Sequence, residues 1–102
     1  MSDVLPPFTA YHVMKVGKLP LIPYYRPGDK SLAEAVRMKA RNHSAVLLAN
    51  HGPVVAGVSL EDAVYSIEEL EETAKLSFLL ETKKVNLLTP AQVSELNDSF
   101  PN

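Results

Sequence analysis

Ser44-Ala45-Val46-Leu47-Leu48-Ala49-Asn50-His51-Gly52-Pro53-Val54-Val55-Ala56-Gly57-Val58 is the stretch on which the fold turns. Its first six residues are an unbroken apolar run of strand length, and the lack of alternation implies burial on both faces. Asn50 tolerates a left-handed backbone, Gly52 adopts one without steric penalty and Pro53 stiffens the exit, so the run doubles back. Val54 to Val58 completes a strand–turn–strand hairpin whose tip carries His51.

Downstream, Ser59 caps the longest helix, with Asp62 at the capping-box position and Glu61 complementing the positive helix end. Leu60, Ala63, Val64, Ile67, Leu70, Ala74 and Phe78 form one apolar stripe, with Glu68, Glu69, Glu71 and Glu72 outside it. Thr89, Pro90 and Gln92 start a short last helix, expected over Pro90 to Leu96 with a frayed tail after Asn97. Upstream, a helix is expected from Lys30 to Arg41, capped by Ser31 with Glu34 or equally well by Asp29, and ended by Asn42-His43. Leu19-Pro20-Leu21-Ile22-Pro23-Tyr24-Tyr25 has strand composition, but its prolines assign it to a sheet edge or a strand end. Pro6, Pro7, Pro20, Pro23 and Pro27 crowd the first 27 residues, so this third is expected to be extended.

With 102 residues, 46% of them hydrophobic, the chain has the size and composition of one domain. Ten Lys and Arg against 12 Asp and Glu give a net charge of -2, which removes the basic field that nucleic-acid or anionic-membrane binding needs. The absence of cysteine excludes a disulfide framework, a Cys-based zinc site and a thiol nucleophile. No basic segment leads into an apolar one at the N-terminus, and no apolar run approaches membrane-spanning length, so a soluble, cytoplasmic protein is expected.

Gly17, Gly28, Gly52 and Gly57 are too dispersed for a phosphate-binding loop, and Glu68-Glu69-Leu70-Glu71-Glu72 reads as the solvated side of a helix. Of three histidines, His43 suits the carbonyls at a helix end, and His12 reads as partly buried and hydrogen-bonded. His51 differs, because a turn between two strands holds its ring on a rigid mount at the surface. A good hairpin turn alone also explains Asn50-His51-Gly52. A single imidazole cannot make a catalytic zinc site, which takes three protein ligands, so its partners must come from elsewhere.

The strand Ala45 to Ala49, the tip Asn50-His51-Gly52-Pro53, the strand to Gly57 and the helix start Ser59-Leu60-Glu61-Asp62-Ala63 together resemble the class II aldolase/adducin family. Val16 to Asp29 further resembles its branch of sugar aldolases and 3-oxo-tetronate 4-phosphate decarboxylases. The resemblance runs from about Leu5 to Leu96. It implies an α/β fold of the α+β type, with helices packed on a mostly antiparallel sheet as part of an α/β/α domain. It also implies a homo-oligomer, usually a cyclic tetramer, and a divalent metal, typically zinc, held by three histidines. His51 matches the third. Such a metal acts as a Lewis acid on a sugar-phosphate carbonyl or enediolate oxygen during carbon–carbon cleavage or decarboxylation. The family's tyrosine from a neighbouring subunit carries over to Tyr11, although an aromatic covering the core edge would explain Tyr11 as well.

The departures matter equally. The family's other two metal ligands form a His-x-His pair, and no His-x-His occurs in this sequence. Its upstream acid–base carboxylate and its Gly/Asn/Ser-rich phosphate loops have no counterpart here either. The chain therefore corresponds to the C-terminal half of such a domain, and negligible turnover is expected from it alone. The alternative is a non-catalytic, adducin-like oligomerisation or interaction module, with Val46, Leu48, Val54 and the Ile67 stripe exposed for pairing.

Overall fold

The computed structural model describes residues 3–101. Its elements, in chain order, are α1 (Ala10–Lys15), β1 (Leu21–Ile22), α2 (Lys30–Ala40), β2 (Ala45–Leu48), β3 (Gly52–Val55), α3 (Leu60–Leu79) and α4 (Pro90–Ser99). The opening third is not extended throughout, which corrects the reading from proline content. Residues 8–19 contain no proline, and Thr9 caps α1 by accepting a hydrogen bond from the His12 backbone N–H at 3.2 Å.

β2 is the central strand of a three-stranded sheet in the order β1-β2-β3. It pairs antiparallel with β3 from Ala45↔Val55 to Leu48↔Gly52. β1 adds a short parallel edge, Leu21↔Leu47 and Ile22↔Leu48. The prolines flanking β1 fit that edge, since proline lacks only the donor: the Pro20 carbonyl accepts the Leu47 N–H at 2.9 Å. Ala45 and Val46 point to opposite faces and are both buried, so the first half of β2 is covered on both sides. Val46 is therefore not an exposed pairing residue, whereas Val54 on β3 is exposed.

β3 ends at Val55, and residues 56–58 turn toward α3 instead of prolonging the strand. Gly57 has no room for a side chain: a Cβ there would lie 2.6 Å from Asp62 Oδ2 and 2.7 Å from the Ala63 backbone nitrogen. Ser59 caps α3 by accepting the Asp62 N–H at 3.1 Å. Asp62 does not close a capping box; its carboxylate accepts the Val58 N–H at 3.1 Å and Lys15 Nζ at 3.3 Å, tying α3 to α1. Those two donors, the Val58 N–H foremost, hold the Asp62 carboxyl below its usual range.

The inward face of α3 is built on Ser66, Leu70 and Thr73. Leu60, Val64 and Phe78 of the apolar stripe stay exposed. Small polar residues win that face because they let α1 come close: Ser66 Oγ donates to the Lys15 carbonyl at 3.4 Å. The core gathers Leu5, Val16, Leu19, Ala45 and Leu70. The accessible surface is 7222 Å², against about 5,700 Å² for a compact protein of this mass. Apolar side chains on α3 account for part of that excess.

α2 begins at Asp29, whose carboxylate accepts the Ser31 N–H at 2.8 Å, so Asp29 and not Ser31 is the cap. α4 has the full capping box, with Gln92 N–H on Thr89 Oγ1 at 3.2 Å and Thr89 N–H on Gln92 Oε1 at 2.9 Å. It runs to Ser99, three residues beyond the expected end. The Leu88 N–H donates to the Pro7 carbonyl at 3.0 Å and fixes the approach of α4 to α1.

Candidate active site at the hairpin tip

Two residues with positive φ shape the tip of the β2–β3 hairpin: Asn50 at 64° and Gly52 at 143°. The His51 N–H donates to the Leu48 carbonyl at 3.0 Å and closes the turn. Nothing lies within 4 Å of a Cβ built on Gly52, so its backbone angle alone calls for glycine there. His51 projects from this turn into solvent.

The parallel pairing of β1 with β2 decides what meets that ring. Because Ile22 lies opposite Leu48 and its carbonyl accepts the Ala49 N–H at 2.9 Å, the chain leaving β1 runs alongside the tip. His51 Nε2 lies 3.1 Å from the Tyr25 carbonyl. A carbonyl oxygen only accepts, so Nε2 carries the proton and the Nδ1 lone pair is left for another partner. The Tyr24 ring packs against the imidazole at 5.8 Å between centroids and 59° between planes. Sequence pattern places Tyr24 and Tyr25 only in a segment of strand composition at a sheet edge or strand end. Their service to His51 depends on a contact 26 residues apart, for which the sequence carries no local signal.

Among the described residues, no group of three or more His, Cys, Asp or Glu side chains comes together. These residues do not fit a complete metal centre, which needs at least three protein ligands. His51 is exposed, oriented through one nitrogen and unencumbered at the other.

Tyr11 stands on α1 and is 68% exposed. It does not cover the core edge. α1 packs on α3 and α4, whereas His51 lies beside Tyr24 and Tyr25, so the fold does not gather Tyr11 and His51 into one contact set. His43 Nδ1 meets the Lys39 carbonyl at 3.1 Å, in keeping with a histidine at a helix end. His12 is 1% exposed, and neither ring nitrogen has a partner, which corrects its reading as a hydrogen-bonded histidine. Burial pushes its pKa below the ordinary 6.5, with the charge of Asp3 opposing.

The hairpin and its parallel edge strand belong to a mixed α/β domain. The chain belongs to the class II aldolase/adducin family: residues 1–78 match the Class II Aldolase and Adducin N-terminal domain. It is 53% identical over 95 residues to the 3-oxo-tetronate 4-phosphate decarboxylase of Escherichia coli K12, covering 93% of this chain and 45% of that protein. It is 30% identical over 100 residues to the L-fuculose phosphate aldolase of Escherichia coli O157:H7, covering 92% of this chain and 46% of that one. Among solved structures it resembles YgbL, a candidate aldolase/epimerase/decarboxylase. The Klebsiella pneumoniae protein gives a TM-score of 0.89 at 50% identity, covering 93% of this chain and 46% of that one. The Escherichia coli protein gives 0.88 at 53%, with the same coverage. The chain thus spans about half the length of the relatives it matches.

Proposed function

We propose that this chain forms part of a lyase that cleaves a carbon–carbon bond in a small sugar phosphate, most closely a decarboxylase of 3-oxo-tetronate 4-phosphates. The observation that carries this reading is the exposed imidazole of His51, held through Nε2 by the Tyr25 carbonyl with Nδ1 unpartnered. In this reading His51 supplies one ligand to a divalent cation, zinc in the first instance, whose remaining ligands come from outside this chain. Tyr11, exposed on α1, faces the substrate of a neighbouring subunit in a cytoplasmic homo-oligomer of the tetrameric kind. The isolated chain, with one imidazole and no His-x-His pair, turns over no substrate.

The test is a decarboxylation and aldol-cleavage assay with added zinc, run on the chain alone and on its mixture with a polypeptide supplying a family His-x-His segment. Activity only in the mixture, abolished by His51→Ala, is the expected result. Robust turnover by the chain alone, or a mixture indifferent to His51→Ala, overturns the reading.

A second reading, a non-catalytic adducin-like assembly module, draws on Leu60, Val64 and Phe78, which α3 leaves exposed. Light scattering separates the two: self-association with no activity in any mixture favours the module, and a stable monodisperse monomer counts against it.

A further inference from the structure

The two longest helices carry opposite charge and lie on opposite faces of the sheet. Ala45 of β2 shares the core with Leu70 of α3, while Val46, which points to the other face, lies in one cleft with Val36 and Ala40 of α2. α2 and the Arg41 that ends it hold four basic residues, Lys30, Arg37, Lys39 and Arg41, against the single acidic Glu34. α3 holds six acidic residues against the single basic Lys75. The whole chain has a net charge of only -2, so the two signs are segregated by helix.

Local pairing does not use these charges up. Among the described residues, Arg37 pairs with Glu34 at 3.2 Å and Lys75 with Glu72 at 3.3 Å, whereas Lys30, Lys39, Arg41, Glu68, Glu69 and Glu71 make no ion pair. On α3 the exposed positions recur every three or four residues from Glu61 to Leu79, which makes them one outer face. Its middle is acidic, at Glu68, Glu71 and Glu72, and its ends are apolar, at Val64 and at Phe78 with Leu79. Exposed apolar residues that bracket unpaired carboxylates call for a cationic partner with an apolar contact of its own. α2 has that character, since its unpaired cations flank the exposed Met38. Val64 and Phe78 stand about 21 Å apart along α3, and α2 is about 16 Å long, so α2 of a second copy fits along this face.

We propose that α3 of one copy docks α2 of the next, carboxylates against cations, in a head-to-tail homo-oligomer. Because the two helices cover opposite faces of the sheet, a two-fold pair cannot satisfy both. Each copy keeps one helix free for a further neighbour, which gives a ring where the rotation closes. The inference supplies surfaces to the homo-oligomer of the reading above and rests on that part of it, not on His51.

Sedimentation velocity of the full chain tests it at about 10 mM and about 1 M sodium chloride, where exposed charges act over about 30 Å and about 3 Å. Self-association should weaken at least tenfold in the higher salt. Lys39→Glu with Arg41→Glu on α2, or Glu68→Lys with Glu71→Lys on α3, should each abolish it while circular dichroism stays unchanged. An equimolar mixture of the two reversed chains should associate again, and so should one chain carrying all four changes, a recovery that a folding defect cannot mimic. A chain that stays monomeric in low salt at its highest soluble concentration overturns the proposal together with the homo-oligomer. Association indifferent to salt or to either reversal, or reversed chains that do not recover on mixing, overturns the proposal alone and leaves the homo-oligomer standing on another surface.

Discussion

Two histidines stand under opposite conditions. His12, on α1, is enclosed and has no hydrogen-bond partner, whereas His51, at the hairpin tip past the end of β2, is exposed and bonded to the Tyr25 carbonyl. Burial without a partner is a cost to the fold. Exposure with one fixed nitrogen costs little and leaves a lone pair to offer. The same residue type thus lies on two different links of the argument, packing in one place and chemistry in the other. Position in the topology, more than residue identity, assigns the role.

The largest effect should come from cutting what joins the two regions. Ile22 is 1% exposed on β1, between core residue Leu19 and the tyrosines that meet His51. Ile22→Ala should cost about 2–5 kcal/mol, as buried large-to-small changes do, a large fraction of the stability of a small domain. Urea unfolding measures it. A loss below 1 kcal/mol would show that the edge strand is not part of the cooperative core.

Next in size is the tip itself. Gly52→Ala meets no neighbouring atom, so its whole penalty is backbone strain at φ 143°, about 1–3 kcal/mol. The relaxed turn should also break the bond from His51 to Tyr25, which the His51 ring nitrogen shifts report. An unchanged melting temperature and an unchanged ring signal would mean that the hairpin tip is not held by this geometry.

The third test works on the buried histidine. His12 has its pKa lowered by burial, so the folded chain keeps the ring neutral where the unfolded chain starts to bind a proton. Its contribution is fully present above the ordinary imidazole value of 6.5 and is lost as pH falls through the lowered folded pKa. His12→Phe should remove that acid-side loss and add about 1 kcal/mol at neutral pH, by replacing an orphaned polar ring with an apolar one of similar shape. Denaturation profiles of the two chains between pH 5 and pH 8, the window flanking the imidazole value, carry the comparison. Parallel profiles would place His12 in a hydrated or paired state.

Much of this architecture was legible in the sequence, and the part that was not has a common cause. Helix starts were readable because a cap acts within three residues, as Thr89 with Gln92 and Ser59 with Asp62 illustrate. The hairpin was readable because Asn50 and Gly52 declare their backbone angles. α1 was missed because proline density on either side masked a proline-free interval, and the inward face of α3 was misjudged because Ser66 and Thr73 are chosen for close approach to α1 and not for hydrophobicity. The tip could be located at His51, but the partners that orient it could not. They arrive through a two-residue parallel pairing that leaves no local pattern.

The smallest expected effect on stability is also the most informative about chemistry. His51→Ala removes one exposed side chain, one hydrogen bond to Tyr25 and one ring contact with Tyr24. An exposed hydrogen bond of this kind contributes about 0.5–1 kcal/mol, so the variant should unfold within 1 kcal/mol of the parent. Weak zinc or cobalt binding at the tip, read as broadening or shift of the His51 ring signals in the parent chain, should vanish in the variant. If the parent shows no response at the tip while the fold is intact, the imidazole is a turn residue only. A stability loss of several kcal/mol with no metal response would place His51 beside His12, as a histidine the fold needs for itself.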